Sequence, residues 1–536
     1  MVLLRAYNFY ANILIMTMFI HMCVSFVVSV SVSGHNSDNN LVFVQNLCFN
    51  NLVLVYIFDK NNHVFVQNTC IYHLFYVPLQ RILKLRVMRR KIYQQLLQWK
   101  QEEKGRVALL IEGARRVGKS YIAEEFAQKE YRSYILIDFA HITKPMKRVF
   151  DDYLEDTPTF FQYLQTVAKT TLYERESLII FDEIQKYPRA RQAIKHLVAD
   201  GRYDYIETGS LVSINSTAED ILVPSEERSL QMFPMDFEEF LWALDDTLTM
   251  PLIRDCFWKK RPLGPAHRQA MDYFRQYLIV GGMPQAVKEY AATRNFITTD
   301  KQKRDVLSLY RKSIGRYAKG YAEKVRGVFD QIPGELQKHE KRFQLSSVEK
   351  GARYRNYETA FLWLQDAQIT NTCYGVTEPM VGMRLRRDNE TFKCYMMDTG
   401  LLLSHAFDEK TIQGEELYQK ILLDKLEINS GMLIENVVAQ MLSTAGHKLY
   451  FYSCQSREDA SIRMEIDFLV EKQTLTNRHN ISPLEVKSGA RYTTSSLNKF
   501  RKQFAEQLST PYIIHDGDYR EKDGVVYLPF YMVPLL

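Results

Sequence analysis

The sequence predicts an α/β protein built on a parallel sheet, and three observations carry that prediction. An apolar run, Val107–Ile111, leads into a glycine-bearing loop and then into a helical pattern, Tyr121–Lys129. A second run, Leu178–Phe181, is four apolar residues ending in two acids, Asp182 and Glu183. Such a run suits a strand covered on both faces, as in a parallel sheet. Two further strand patterns, Ser133–Phe139 and Tyr203–Thr208, lie between and after these two.

The loop after the first strand reads Gly113-Ala114-Arg115-Arg116-Val117-Gly118-Lys119-Ser120 and satisfies G-x-x-x-x-G-K-[ST]. Its strand–loop–helix context is the one that phosphate binding requires. The two glycines admit backbone turns that a Cβ forbids, so successive N–H groups face inward. The start of the next helix adds partial positive charge. In this pattern Lys119 reaches the β- and γ-phosphates of ATP and the Ser120 hydroxyl holds Mg²⁺. Asp182, at the carboxyl edge of its strand, is placed for the metal's water shell. Glu183 beside it is the candidate base for an attacking water. At the tip of the strand ending Glu207-Thr208-Gly209-Ser210, Thr208 or Ser210 is a candidate sensor of the terminal phosphate, against the reading of a plain turn. Arg228, in Ser-Glu-Glu-Arg, is a candidate arginine finger, against the reading of a solvated helix end.

Taken with Pro234–Phe240 and Gly281–Val287, these motifs resemble the bacterial and archaeal AAA-type ATP-binding proteins that carry a C-terminal domain of unknown function. The resemblance spans Met88 to Leu536. It implies an AAA-type P-loop ATPase sheet with an extra strand between the two nucleotide motifs. It also implies a helical lid, a winged-helix segment and a nuclease-like C-terminal fold. In that family the arginine near Arg228 follows a glycine; here Glu227 precedes it. The expected organisation is an atypical extension at 1–87, an ATPase core at 88–235, a lid at 236–320, a winged-helix-like segment at 321–407 and a nuclease-like domain at 408–536.

Composition narrows the class. The 536 residues are 46% hydrophobic and 25% charged, as in ordinary globular proteins, and at this length three or four domains are expected. A net charge of +6 implies no global field for nucleic acid. The charge is uneven, however: 301–355 holds fifteen lysines and arginines against six acids. That segment is either a DNA-backbone contact or a solvated helical face. Seven scattered cysteines without C-x-x-C spacing argue for neither a disulfide framework nor a zinc site, and fit a reduced, cytoplasmic setting.

Residues 1–87 differ from the rest. Residues 13–32 are a charge-free apolar run behind Arg5, a second apolar run covers 41–58, and Val-Phe-Val-Gln-Asn occurs twice. A cleaved signal or single anchor would carry an ATP site away from cytosolic ATP. A hairpin of two spans would return it to the cytosol ahead of the basic run Arg81–Lys91. The third reading is a start placed too early, because the amphipathic helix Arg89–Lys100 and the resemblance both begin near Met88. The crude repeat favours the third reading; a membrane partner follows only if this segment is genuine.

Beyond the sheet, Asp236 is placed to cap a helix that carries Glu238 and Glu239 in its first turn. Gly281-Gly282 predicts a tight turn ahead of Pro284. Helices and then short strands through 322–407 suit a winged helix, a fold that binds DNA in some proteins and joins proteins in others. Near the C-terminus, Glu465–Val470 and Pro483–Lys487 read as strands carrying Asp467, Glu485 and Lys487 in a D…E-x-K pattern, with Glu435 on a preceding helix. This looks like the PD-(D/E)XK nuclease fold, whose carboxylates hold Mg²⁺ and whose lysine positions water. A salt-bridged pair of strands is the competing reading. The expected function is a Mg-dependent ATPase of the AAA type that couples nucleotide state to the C-terminal module, with a protein partner or a second copy of the chain as candidate partners. The alternatives are an ATP-gated DNA-binding protein or nuclease, and a scaffold that binds ATP without turnover.

Overall fold

The apolar strand patterns form a five-stranded sheet of β1 (Ala108–Gly113), β2 (Ser133–Asp138), β3 (Ser177–Asp182), β4 (Asp204–Gly209) and β5 (Glu227–Met232). The structure is a computed structural model describing residues 88–210, 225–338, 341–407, 418, 430–455, 459, 462–472, 476, 478–489 and 492–536, together with strand backbone between 30 and 65. Every pair in the sheet is parallel, in the order β5-β1-β4-β3-β2. The loop strand β1 and the acidic strand β3 are therefore separated by β4. Helix α1 (Ile92–Glu103) precedes the sheet; α2 (Lys119–Glu130), α3 (Lys144–Tyr153), α4 (Thr157–Ala168) and α5 (Pro188–Asp200) form its crossovers.

Alternation decides which helix each strand residue meets. Leu109, Ile111, Leu178, Ile180 and Ile206 share a core with Leu96 of α1 and with Ile122 and Phe126 of α2. Leu110, Ile179, Phe181 and Tyr205 share another with Phe150 of α3, Phe160 of α4 and Ile194 of α5. Leu178–Phe181 are wholly enclosed, which is worth roughly 1.5–3 kcal/mol for each side chain. This double burial is why that run lacks polar alternation.

A helical layer follows: α6 (Phe237–Ala243), α7 (Thr249–Trp258), α8 (His267–Val280), α9 (Pro284–Thr293) and α10 (Phe296–Tyr317). Asp236 caps α6 in a reciprocal box with Glu239. Gly281 and Gly282 have a steric reason to be glycines. A Cβ on Gly281 would stand 2.2 Å from Asp398 Oδ1, and one on Gly282 would stand 2.0 Å from the Met235 carbonyl oxygen. Gly281 also has φ +77°.

The remainder departs from the expected modules. Helices α11 (Ala322–Gln337) and α12 (Glu358–Asp366) lead into the antiparallel hairpin β6 (Thr370–Val376) and β7 (Arg387–Met396). Then come α13 (Thr399–Ala406), α14 (Ser430–Thr444), β8 (Tyr450–Cys454), β9 (Met464–Glu471), β10 (Ile481–Val486), α15 (Ser495–Gln503), β11 (Tyr512–His515), β12 (Arg520–Lys522) and β13 (Val525–Pro529). The hairpin does not close a separate winged helix. It joins the C-terminal strands in one mixed eight-stranded sheet, ordered β7-β6-β8-β9-β10-β11-β13-β12. The join is parallel, with Tyr374 opposite Tyr450 and Gly375 opposite Phe451. The expected boundary at 407/408 thus falls between elements of one sheet. Met88–Leu536 is one compact unit, and Leu109, Phe274, Tyr310, Leu402 and Tyr531 lie in one continuous core.

Residues 1–87 form a second unit, with Val30–Ser37 paired to Asn40–Phe49 and the latter to Leu52–Leu54, both antiparallel. Of the first apolar run, 13–29 lies outside the described residues. The second, 41–58, is strand rather than helix where it is described. Among the described residues no helix is long and apolar enough to cross a membrane.

Gly281→Ala should destabilise Met88–Leu536 by roughly 1–3 kcal/mol from the backbone alone, with a further cost from displacing Asp398. A urea midpoint equal to that of the parent protein would refute this.

Candidate functional site

The loop 113–120 leaves the carboxyl end of β1 and turns directly into α2. Its glycines are there for space and dihedral angle. A Cβ on Gly113 would meet the Met232 carbonyl oxygen at 2.5 Å, and Gly118 has φ +99°. Arg116 also lies in the left-handed region, at φ +70°. Ala114 and Val117 are buried in the core beneath the loop. Lys119 is folded back on the loop, donating to the carbonyls of Gly113 at 2.8 Å and Ala114 at 3.0 Å. Burial, offset by Glu183 and Asp182 and reinforced by Arg115, lowers its ammonium to about 8.

The parallel register brings the other side chains to the same edge. Ser120 Oγ donates to Asp182 Oδ1 at 2.6 Å. The Thr208 hydroxyl donates to the same carboxylate oxygen and accepts the Glu183 N–H at 3.3 Å. Of the two sensor candidates, Thr208 is thus the one in contact with Asp182. Glu183 holds a left-handed φ of +55°, uncommon for a residue with a Cβ, and Gln185 Nε2 donates to its Oε2. The adjacent Glu207 points to the opposite face of β4, where burial and then Glu227 push its carboxyl well above the usual range. Arg191 of α5 pairs with Glu227 there at 2.9 Å.

Arg228 is not brought to this edge. It pairs with Leu109 in the β5–β1 register, whereas Met232 stands opposite Gly113, roughly 13 Å further along the strand. It is half exposed and bound to Glu103 of α1. Two other residues do reach the loop and carry no sequence motif. Arg90 is buried, with Nη1 donating to the Val117 carbonyl at 2.8 Å, Nη2 to the Phe233 carbonyl at 2.6 Å, and Nε paired to Glu239 at 3.1 Å. Tyr317 accepts hydrogen bonds from Arg115 at 3.2 Å and Lys186 at 2.6 Å. Their only local signal was a cation or phenol with no assigned partner.

The C-terminal carboxylates gather around a lysine that sequence reasoning passed over. Lys393 of β7 is 1% exposed, and its Nζ lies 2.7 Å from Glu465, 3.8 Å from Asp467 and 4.0 Å from Glu435. Lys341 pairs with Glu435 as well, and the Tyr395 hydroxyl donates to Glu435 at 3.0 Å. Burial is the largest influence on Asp467 and, with the charge of Glu435, pushes it up to about 7; Lys393 and the Val486 N–H oppose this. Asp467 Oδ2 accepts that N–H at 2.8 Å, so Asp467 does approach the neighbouring strand. Glu485 and Lys487 share a face as expected, but they pair with each other at 2.5 Å. Among the described residues no three His, Cys, Asp or Glu side chains are disposed to hold a metal ion.

Comparison with known proteins agrees with the sheet and its loop. Residues 105–241 match the family described as AAA domain. The chain carries an AAA-type P-loop ATPase domain. Residues 271–411 and 430–533 match two domains of unknown function, DUF8612 and DUF4143. No curated protein matches the chain. Among solved structures, a Walker-type ATPase of Pyrococcus abyssi is similar at 16% identity and TM-score 0.36, over 60% of this chain and 96% of that one. A Drosophila ORC chain, in a structure bound to DNA, is similar at 12% identity and TM-score 0.24, over 65% and 98%. Cdc6p of Pyrobaculum aerophilum is similar at 12% identity and TM-score 0.22, over 63% and 95%.

Lys393→Met should cost about 3–5 kcal/mol, because it leaves buried carboxylates without their cation. Adding Glu465→Gln should recover part of that loss in chemical denaturation. A single variant as stable as the parent would show that the cluster is not an ion pair of this kind.

Proposed function

We propose that this chain binds Mg·ATP at Gly113–Ser120 and hydrolyses it, and that turnover shifts the helical layer against the C-terminal half. The observation that carries the proposal is the convergence of the Ser120 and Thr208 hydroxyls on one oxygen of Asp182, beside Lys119. The donor set suits magnesium: a hydroxyl and a carboxylate, both hard oxygen ligands, stand 2.6 Å apart at the loop. Ser120 and Asp182 would hold the ion, which when bound neutralises charge on the phosphates. Lys119 would exchange its two carbonyls for phosphate oxygens. The loop N–H groups and the start of α2 would orient the same phosphates. Glu183 would take the proton of the attacking water once Gln185 releases its carboxylate, and Thr208 would keep Asp182 and Glu183 in fixed relation.

The reading of DNA binding through 301–355 draws on a smaller surface than the charge count suggests. Lys303 and Lys341 are buried, while Arg304, Arg311 and Lys338 pair with acids. Lys301, Lys312, Arg316, Lys319, Lys324, Arg326, Lys350, Arg353 and Arg355 remain exposed, and stimulation of ATP turnover by duplex DNA is the test of that reading. The nuclease reading meets carboxylates already matched by Lys393 and Lys341, and is the less supported of the two.

Lys119→Ala should abolish nucleotide binding. Glu183→Gln should lower phosphate release by about 100-fold or more while leaving the ATP dissociation constant within a few-fold. Undiminished release by Glu183→Gln would overturn the assignment of the base.

A further inference from the structure

Arg115 and Lys186 extend from the two halves of the nucleotide site and meet on one phenol. Arg115 belongs to the loop itself; Lys186 ends the short turn Ile184–Lys186 that follows Glu183. Both donate to the hydroxyl of Tyr317, the last residue of α10. They also lie 5.4 and 5.0 Å from its ring centroid, and the Arg316 guanidinium is 5.5 Å from it. Seven residues earlier on the same helix, the Tyr310 hydroxyl contacts the Arg115 carbonyl at 3.4 Å. Helix α10 therefore touches the loop at both its main chain and its side chain.

The charges here are unbalanced. Among the described residues neither Arg115 nor Lys186 forms an ion pair with a carboxylate, and the phenol is their shared acceptor. Burial resists ionisation of Tyr317, but Lys186, Arg115 and Arg316 hold its hydroxyl below the usual tyrosine value. Arg115 is also near enough to Lys119 to depress that ammonium. A pocket lined by Arg115, Ser210, Tyr310, Tyr317 and Trp363 adjoins Arg115 and Tyr317. A phosphate oxygen carries negative charge and the phenol does not, so each cation gains an ion pair as well as a hydrogen bond on moving from one to the other.

We propose that Arg115 and Lys186 are the residues that distinguish a nucleoside triphosphate from a diphosphate. Tyr317 holds them while the terminal phosphate is missing and releases them when it arrives. Release frees the carboxyl end of α10 from the loop. The proposal rests on nucleotide binding at Gly113–Ser120.

The test compares a non-hydrolysable triphosphate with ADP, each bound to the full chain with Mg²⁺. Lys186→Met should weaken the triphosphate by about tenfold and leave ADP within twofold, since one charge-assisted bond is lost. Tyr317→Phe keeps the ring but removes the competing hydroxyl, so it should tighten the triphosphate several-fold and leave ADP unchanged. Equal shifts for both nucleotides, or no shift, would overturn the proposal. If Lys186→Met melts early, Lys186→Arg keeps the charge and should hold the parent's triphosphate-to-diphosphate ratio; loss of that ratio also overturns it. A different failure marks the underlying reading. If the parent binds neither nucleotide, or Lys119→Ala binds both as the parent does, nucleotide binding at the loop is wrong and this proposal falls with it.

Discussion

The arrangement depends on one carboxylate oxygen shared by two hydroxyls, one from the first turn of a helix and one from a strand. Asp182 Oδ1 accepts from Ser120, in the first turn of α2 after the loop from β1, and from Thr208 on β4. That sharing is possible only if β1, β4 and β3 end at one level, which the parallel register with β4 in the middle ensures. An antiparallel neighbour would send one of the three tips to the opposite edge. The strained φ of Glu183 follows from the same constraint: the chain must turn at once after Asp182 so that the Glu183 N–H reaches Thr208.

What the sequence disclosed was local. The loop, Asp182 and the strand bearing Thr208 could be read because each is a short run whose chemistry is complete within about eight residues. The capping box at Asp236 and Glu239 was legible for the same reason. Arg90, Tyr317, Lys393 and Asp398 were not legible, because each acquires meaning only from a partner far along the chain. Arg90 meets Glu239 across 149 positions, and Arg115 meets Tyr317 across 202. Arg228 lies away from the loop because its place along β5 sets it opposite Leu109 rather than Gly113, which its spacing in sequence does not disclose. The glycine pair was legible as a turn but not as the seat of Asp398, since the carboxylate arrives from residues more than a hundred positions later.

The winged-helix and nuclease readings met a shared obstacle, which is that pattern does not reveal sheet membership. A hairpin after helices has the same local signature whether it stands alone or donates an edge to another sheet. Here β6 pairs with β8, and Lys393 on β7 follows that pairing into the carboxylate cluster. The cost of burying one lysine is met by three acids, and the Glu435–Lys341 pair adds a second cation. Removing water from such a group is favourable only when each charge has a partner. The cluster therefore ties the hairpin to strands β9 and helix α14 through its charges, and the D…E-x-K spacing alone could not distinguish this from a metal site.

The same long-range logic links the nucleotide edge to the C-terminal half. The end of β5 lies against the loop, with the Met232 carbonyl 2.5 Å from where a Cβ of Gly113 would be. Three residues on, the Met235 N–H donates to the Gly282 carbonyl at 2.7 Å, and the Tyr277 hydroxyl donates to the Met235 carbonyl at 2.9 Å. Gln440 of α14 donates in turn to Tyr277 at 2.8 Å. Asp398, fully enclosed, accepts from Gly282 and from Leu401 at the start of α13. Each step is a buried hydrogen bond between rigid elements, and close-packed interiors do not deform continuously. The turn at Gly281-Gly282 is thereby tied to the chain that leaves β5. Asp398 thus joins that turn to the start of α13, and Gln440 joins Tyr277 to α14, through buried hydrogen bonds rather than solvent-exposed chain.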